Sequence, residues 1–232
     1  MARLPRLYAP GIAQYVLQKA AAGRRFFDDA DDYRLFVGLL ADAARAQGVA
    51  LHAYVLLPDE FRLLATPPAP TSLGRIVQAI GRVFAPHCNR RDGVAGPLWD
   101  RRFRSTLIGD GHVLAAMRHV ERRPLRTGAT DDVLAWRWSS LPHHVGESQQ
   151  SFVADHRRYW SLSDTPFERQ AIYRAYVTDA DADDLDEMER LERAVMRGWA
   201  YGGAEADGDL ATSANRRTEP LARGRPKRSV PI

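Results

Sequence analysis

At 232 residues with 45% hydrophobic content, the chain is long enough to bury one sizeable core with an extension beside it. No run of about 18 apolar residues occurs and the N-terminus lacks the apolar core of a secretory signal, so neither a membrane span nor export is expected and the chain is read as cytoplasmic. The single cysteine, Cys88, excludes an internal disulfide framework and reads as a small buried side chain, and no Cys/His spacing suggests zinc.

The formal net charge is only +4, yet the isoelectric point is near 9.4 and the charges are segregated. Basic residues cluster at Arg90-Arg91, at Arg101-Arg102 with Arg104, at Arg118 with Arg122-Arg123 and Arg126, and in the tail from Arg216 to Arg228. Acidic residues concentrate between Asp179 and Glu192. A positive surface attracts phosphate by releasing condensed counterions, which makes nucleic acid the leading partner class. The alternative is ordinary solvated arginine surface.

In chain order, residues 12–18 read as a short apolar strand. Residues 29–47 follow as a helix, with Tyr33, Leu35-Phe36, Leu39-Leu40 and Ala43 at helical spacing and Gly48 as its stop. Two strand-like runs, 51–57 and 60–66, lie too close together for anything but a tight hairpin around Pro58-Asp59. A second helix begins at Ser72, with Leu73, Ile76-Val77, Ile80 and Val83-Phe84 on one face. Pro86 inside that pattern predicts an early end or a bend. Residues 99–108 read as a strand, and Asp110 caps a third helix that Pro124 ends. The order β, α, β, β, α, β, α predicts an α+β fold, an antiparallel sheet with helices on one face. From about Ser161, Tyr173, Tyr176, Leu185, Met188, Leu191 and Val195 give helical repeats, an extension to the sheet domain. The acidic residues from Asp181 to Glu189 lack the turn glycine of a calcium loop and read as the solvated face of a helix. After Gly202-Gly203 the chain is polar and basic, a tail expected to be disordered until bound. The expected divisions are residues 1–145, 146–201 and 202–232.

Several groups of residues carry a family resemblance. They are Met1-Ala2-Arg3-Leu4-Pro5-Arg6 with Pro10-Gly11, Gly23-Arg24-Arg25-Phe26-Phe27 with Asp32-Tyr33-Arg34-Leu35, and His52-Ala53-Tyr54-Val55-Leu56-Leu57-Pro58. Gly96-Pro97-Leu98-Trp99 with Arg102-Phe103, Trp138-Ser139-Ser140, Arg197-Gly198-Trp199-Ala200 and the ending Pro220 to Lys227 complete the set. In this order, over nearly the whole chain, they resemble REP-associated tyrosine transposases, single-strand transposases of the His-hydrophobic-His nuclease superfamily. The resemblance implies a ferredoxin-like domain that binds single-stranded DNA hairpins. It further implies two metal-binding histidines on one strand and a nucleophilic tyrosine on the third helix. Residues two apart on a strand point to the same face, so both imidazoles reach one metal.

This chain departs from the pattern at all three chemical positions. Glu60 and Arg62 stand where the histidine pair belongs, and His119 stands where the tyrosine belongs, within His119-Val120-Glu121-Arg122-Arg123-Pro124-Leu125-Arg126. Glu60 still offers an oxygen to magnesium or manganese, but Arg62 is a permanent cation with no lone pair to give. No cofactor is therefore expected, with Mg or Mn needed only if cleavage survives, and the expectation is a DNA-binding protein without strand cleavage. The DNA contacts expected are Arg62, Arg102, Arg104, Arg118, Arg122 and Arg126, with Arg223, Arg225 and Lys227 of the tail. Arg223-Gly224-Arg225-Pro226 matches a minor-groove hook for A·T-rich duplex. Trp99 with Arg101, Arg102, Phe103 and Arg104 reads either as a single-strand-binding surface or as a strand with Trp99 and Phe103 in the core. His87, His112 and His143-His144 read as loop or core histidines. Partners are thus hairpin or single-stranded DNA and no membrane, with nucleoid association. The rival readings are an active transposase with a non-standard site, and a vestigial or protein-interaction module.

Overall fold

The computed structural model describes residues 5–179, 183–202 and 212–220. The basic-tail positions Arg223, Arg225 and Lys227 lie outside the described residues, as does most of the segment expected to be disordered. Four strands form one antiparallel sheet: β1 (Gln14–Lys19), β2 (Ala50–Leu57), β3 (Glu60–Thr66) and β4 (Arg104–Leu107), in the order β2-β3-β1-β4. The two-residue turn at Pro58-Asp59 sets the β2–β3 register, with Leu57 opposite Glu60. β1 then fills the centre of the sheet, pairing Leu17 with Arg62 on one side and with Arg104 on the other.

Helices α1 (Ala30–Ala46) and α2 (Ser72–Asp92) cover one face, as the β-α-β-β-α-β order requires. The Asp29 side chain opens α1 by accepting the N–H groups of Asp31 at 2.8 Å and Asp32 at 3.0 Å, an N-cap. Phe26, Phe27, Phe36, Phe61 and Phe84 fill the space between these helices and the sheet, all at most 1% exposed. Pro86 does not end α2. The helix runs on to Asp92, the ring sits on its exposed face, and Gly93 closes it at φ +66°. Cys88 is fully buried in this layer, where burial pushes its thiol up to about 11.

The opposite face is covered by α3 (Val113–Glu121), the short turns α4 (Arg123–Arg126) and α5 (Leu141–His144), and the C-terminal extension with α6 (Arg157–Trp160), α7 (Pro166–Thr178) and α8 (Asp183–Arg197). Tyr15, Leu17, Val55 and Leu64 of the sheet share one apolar cluster with Met117 and Val120 of α3, Tyr173 and Val177 of α7, and Leu191 and Val195 of α8. Pro124 opens the turn of α4 rather than merely closing α3, because proline is compatible with a first helical turn. The strand expected over 99–108 is shorter, with Trp99 reduced to an isolated bridge to Ala20. Trp138 and Ser140 hydrogen-bond Leu56 and Tyr54 along the outer edge of β2, so that edge is not left open. Among the described residues, no helix is long and apolar enough to cross a membrane.

Candidate nucleic-acid interface

Because β3 side chains alternate, Glu60, Arg62 and Leu64 point to the α3 face of the sheet. Tyr15 and Leu17 of β1 flank them there, and His119 comes down from α3. Arg62 is fully buried, its Nε donating to Glu60 Oε1 at 2.8 Å and its Nη1 to the Tyr15 hydroxyl at 3.1 Å. The same guanidinium grips both carboxylate oxygens of Glu192 on α8, at 2.5 and 3.2 Å. Glu60 also accepts from Arg123 Nε at 2.6 Å, and its other oxygen lies 3.6 Å from Lys19 Nζ. His119 Nδ1 is 2.9 Å from the Tyr15 hydroxyl and its Nε2 is 3.6 Å from Glu192. The tyrosine oxygen accepts from Arg62, so its proton goes to His119 Nδ1, which leaves Nε2 as the protonated nitrogen facing Glu192.

The electrostatics follow from burial and from these partners. Desolvation alone would raise the Glu60 pKa, but Arg62 and Arg123 overcome it and pull the carboxyl down to about 2. Burial, reinforced by the charge of Arg62, holds the His119 imidazole well below its ordinary value and therefore neutral at pH 7. Burial pushes the Tyr15 phenol up to about 12 despite the neighbouring guanidinium. This donor set does not fit a divalent cation. The Glu60 oxygens already face Arg62, Arg123 and Lys19, and a guanidinium fills the second ligand position.

Arg118 of α3 and Arg122, just after it, face inward rather than toward solvent. Arg118 and Arg122 are each 8% exposed, and Arg122 donates to the carbonyl oxygens of Val177 and Asp179, with Arg118 also on Asp179. They hold the carbonyl-rich end of α7, where cations are favoured. Arg126 reaches the sulfur of Met188 on α8. The DNA contacts expected of Arg62, Arg118 and Arg122 do not fit this arrangement, since their guanidinium groups are buried against protein.

Arg102 and Arg104 lie elsewhere, on a cationic groove at the β4 end of the sheet. Three adjoining cavities of about 750, 360 and 230 Å³ share Arg6 and Phe103 in their walls. Arg75 and Arg82 from α2, Arg101 and Arg102 from the preceding loop, Arg104 from β4, and Arg197 and Arg216 complete the basic lining. Among the described residues, no aspartate or glutamate lines any of the three. Arg75, Arg82 and Arg102 make no ion pair among the described residues and are exposed. Others are braced: Arg104 donates to Met196 O at 2.6 Å, and Arg6 lies over the Phe103 ring at 3.6 Å. Phe103 is buried, whereas Trp99 packs edge-on to Phe26 and leaves part of its ring in the groove wall beside Gly81. A β-carbon at Gly81 would stand 3.1 Å from the Trp99 indole nitrogen, so the glycine leaves room for the ring to approach α2 closely.

Sequence reasoning missed Arg6, Arg75, Arg82 and Glu192. The first three are isolated charges in the sequence and only the fold gathers them. Glu192 sits in an acidic run, and its inward turn is legible only from the apolar Met188, Leu191 and Val195 on the same helix face. It likewise missed Asp155, which the fold brings to His143 and His144.

No protein-family model matches the chain, and no curated protein matches it. Among solved structures, the chain is similar to one described as a REP-associated tyrosine transposase bound to a REP hairpin. The TM-score is 0.52 at 15% identity, covering 67% of this chain and 92% of that one. At that identity the likeness establishes a shared transposase-like α+β fold.

Proposed function

We propose that this chain binds hairpin or single-stranded DNA through the groove around Arg82, Arg101, Arg102 and Arg104, and does not cleave it. The observation that carries the reading is the contrast between two cationic regions. At the Glu60–Arg62–His119 centre every charge is neutralised internally and the nucleophile position holds a neutral, buried imidazole. Along the groove Arg75, Arg82 and Arg102 are exposed and make no ion pair among the described residues. The fold's likeness to a hairpin-bound transposase favours folded single-stranded DNA as the ligand. Phosphate contact comes from the arginines, and the Trp99 edge offers a base a stacking surface. A basic tail carrying Arg223, Arg225 and Lys227 adds sequence-independent affinity. A nucleoid-associated protein of transposase lineage, with its strand-transfer chemistry replaced by a structural ion-pair network, is the function that follows.

Incubating the purified chain with labelled hairpin single strands and manganese tests both halves. A mobility shift without a denaturation-resistant adduct is expected, and the shift should weaken at least tenfold in the Arg82→Glu, Arg102→Glu double variant. A covalent adduct would overturn the non-cleaving reading. A folded chain that shifts no hairpin would overturn the binding reading.

A further inference from the structure

α5 ends in two histidines, and the segment that returns along the edge of β2 brings Asp155 back to them. The ligand atoms of His143, His144 and Asp155 all lie within 4.8 Å of one another. His143 Nε2 is 3.2 Å from Asp155 Oδ1, and His144 Nε2 is 3.8 Å from the same oxygen. His144 is fully buried, and its Nδ1 lies 2.7 Å from Glu121 Oε1. That carboxylate also accepts Ser140 Oγ at 2.5 Å and the Tyr173 hydroxyl at 2.6 Å, so it is held in place as an acceptor. The Nδ1 proton of His144 therefore goes to Glu121, which leaves Nε2 facing Asp155. This buried Nε2 has no hydrogen-bond partner.

A buried Nε2 that makes no hydrogen bond, with a carboxylate oxygen 3.8 Å away and a second imidazole beside it, leaves a gap that a cation between the three groups would fill. A carboxylate on the far nitrogen of a metal-binding histidine is the arrangement that fixes its tautomer and raises its basicity. We propose that His143, His144 and Asp155 form a binding site for a divalent transition-metal cation, zinc by ligand type, with its remaining coordination position open to solvent. Two imidazoles and one carboxylate are a donor set suited to zinc, and they lack the oxygen-rich shell that magnesium or calcium needs. The open position faces a cleft of about 480 Å³ that His143 and Asp155 line together with Tyr159, Trp160 and Arg169. The site lies apart from the Glu60–Arg62 centre and does not depend on the DNA-binding reading.

His143 supplies the site's signature. Its Nδ1 now accepts the Gln150 amide N–H at 3.2 Å, so Nε2 holds the proton and donates to Asp155. Ligation through Nε2 moves that proton to Nδ1 and releases the Gln150 amide, with no net proton lost by the ring. The bound cation would clamp α5 to the 150–155 segment, whose Ala154 amide donates to Leu51 O at 2.7 Å on β2.

The full-length chain, treated with chelator and then titrated with zinc, tests the site by calorimetry, with the Gln150 amide followed by NMR. One saturable site per chain, displacement of the Gln150 resonance and a higher melting temperature with zinc than without are expected. Cobalt substitution should give the intense visible absorption of a four-coordinate site, and magnesium should produce none of these changes. His143 and Asp155 are partly exposed, at 17% and 19%, so His143→Ala and Asp155→Asn are the variants of choice. Each should lower zinc affinity at least tenfold while circular dichroism shows the fold retained. Absence of saturable uptake by the folded chain would overturn the proposal, as would uptake that leaves the Gln150 amide unmoved. Uptake unchanged in both variants would equally overturn it, because the metal would then sit on other groups.

Discussion

Arg62 shows how a strand position facing the helix layer can hold a charge as a piece of core. A buried guanidinium is tolerated only with partners, and here Glu60, Glu192 and the Tyr15 hydroxyl supply them. Arg62→Met leaves Glu192 without its cation and Glu60 with only Arg123 and Lys19, and should destabilise the chain by about 3–5 kcal/mol in urea denaturation. Replacing Glu60 and Glu192 with glutamine in the same molecule should recover much of that loss, since the cost is the uncompensated charge. The same centre sets a pH dependence. His119 is held below its ordinary pKa in the folded chain, so the unfolded chain takes up its proton first. Its contribution is complete above about pH 6.5 and is lost as the pH falls below that value. Glu60 acts lower. With its pKa drawn from 4.5 to about 2, its contribution is present above pH 4.5 and disappears as the pH falls toward 2. That contribution is about 3 kcal/mol at most. Denaturation midpoints measured from pH 8 to 3 should fall in both windows, and Glu60→Gln should flatten only the lower one.

Among the elements, α2 carries a cost that the fold absorbs. Pro86 lies six residues before the helix end and lacks the N–H that would donate to the Arg82 carbonyl. The helix survives because Ile76, Ile80, Phe84 and Cys88 anchor one face in the core while the ring sits on the other. Pro86→Ala should therefore restore a hydrogen bond without disturbing packing and stabilise the chain by about 1–3 kcal/mol, read as a rise in melting temperature. The end of α7 illustrates the opposite arrangement, in which two arginines at the end of α3 satisfy carbonyl groups that the helix itself leaves open. Arg122→Ala should cost about 1–3 kcal/mol of stability while leaving hairpin affinity of the folded fraction unchanged. A loss of affinity without a loss of stability would return Arg122 to the DNA surface.

Across the whole molecule, charge is partitioned by the fold rather than by the sequence. Acidic α8 packs over the face where Arg62, His119 and Arg126 lie, and so neutralises one of the two basic regions. The groove around Phe103 keeps its positive potential because no carboxylate of the described residues lines it. Binding through it should be strongly salt-dependent. With about five phosphates neutralised on a single strand, the logarithm of affinity should fall with the logarithm of salt at a slope near −3.5. Fluorescence anisotropy at several salt concentrations measures this, and Arg82→Glu with Arg102→Glu should flatten the slope by about one or two.

The sequence by itself determined the order of the elements, the α+β class and the presence of Glu60, Arg62 and His119 at three positions of the sheet and third helix. These are local properties: hydrophobic spacing separates strand from helix, the Pro58-Asp59 turn fixes the hairpin register, and the residue types at positions 60, 62 and 119 are read directly. Arg102 and Arg104, expected as DNA contacts, lie on the groove, just before and at the start of the short edge strand β4. Only the tertiary structure decided which arginines remain available to a ligand. Arg118 and Arg122 look identical to Arg101 and Arg102 as a sequence cluster, yet one pair meets the end of α7 and the other meets solvent. The pairing of Glu192 with Arg62 spans 130 residues, and no local pattern encodes a contact made when two amphipathic faces close over one sheet. His143, His144 and Asp155 follow the same rule, since a ligand set is a matter of distance in space and the chain order of its members carries only part of it.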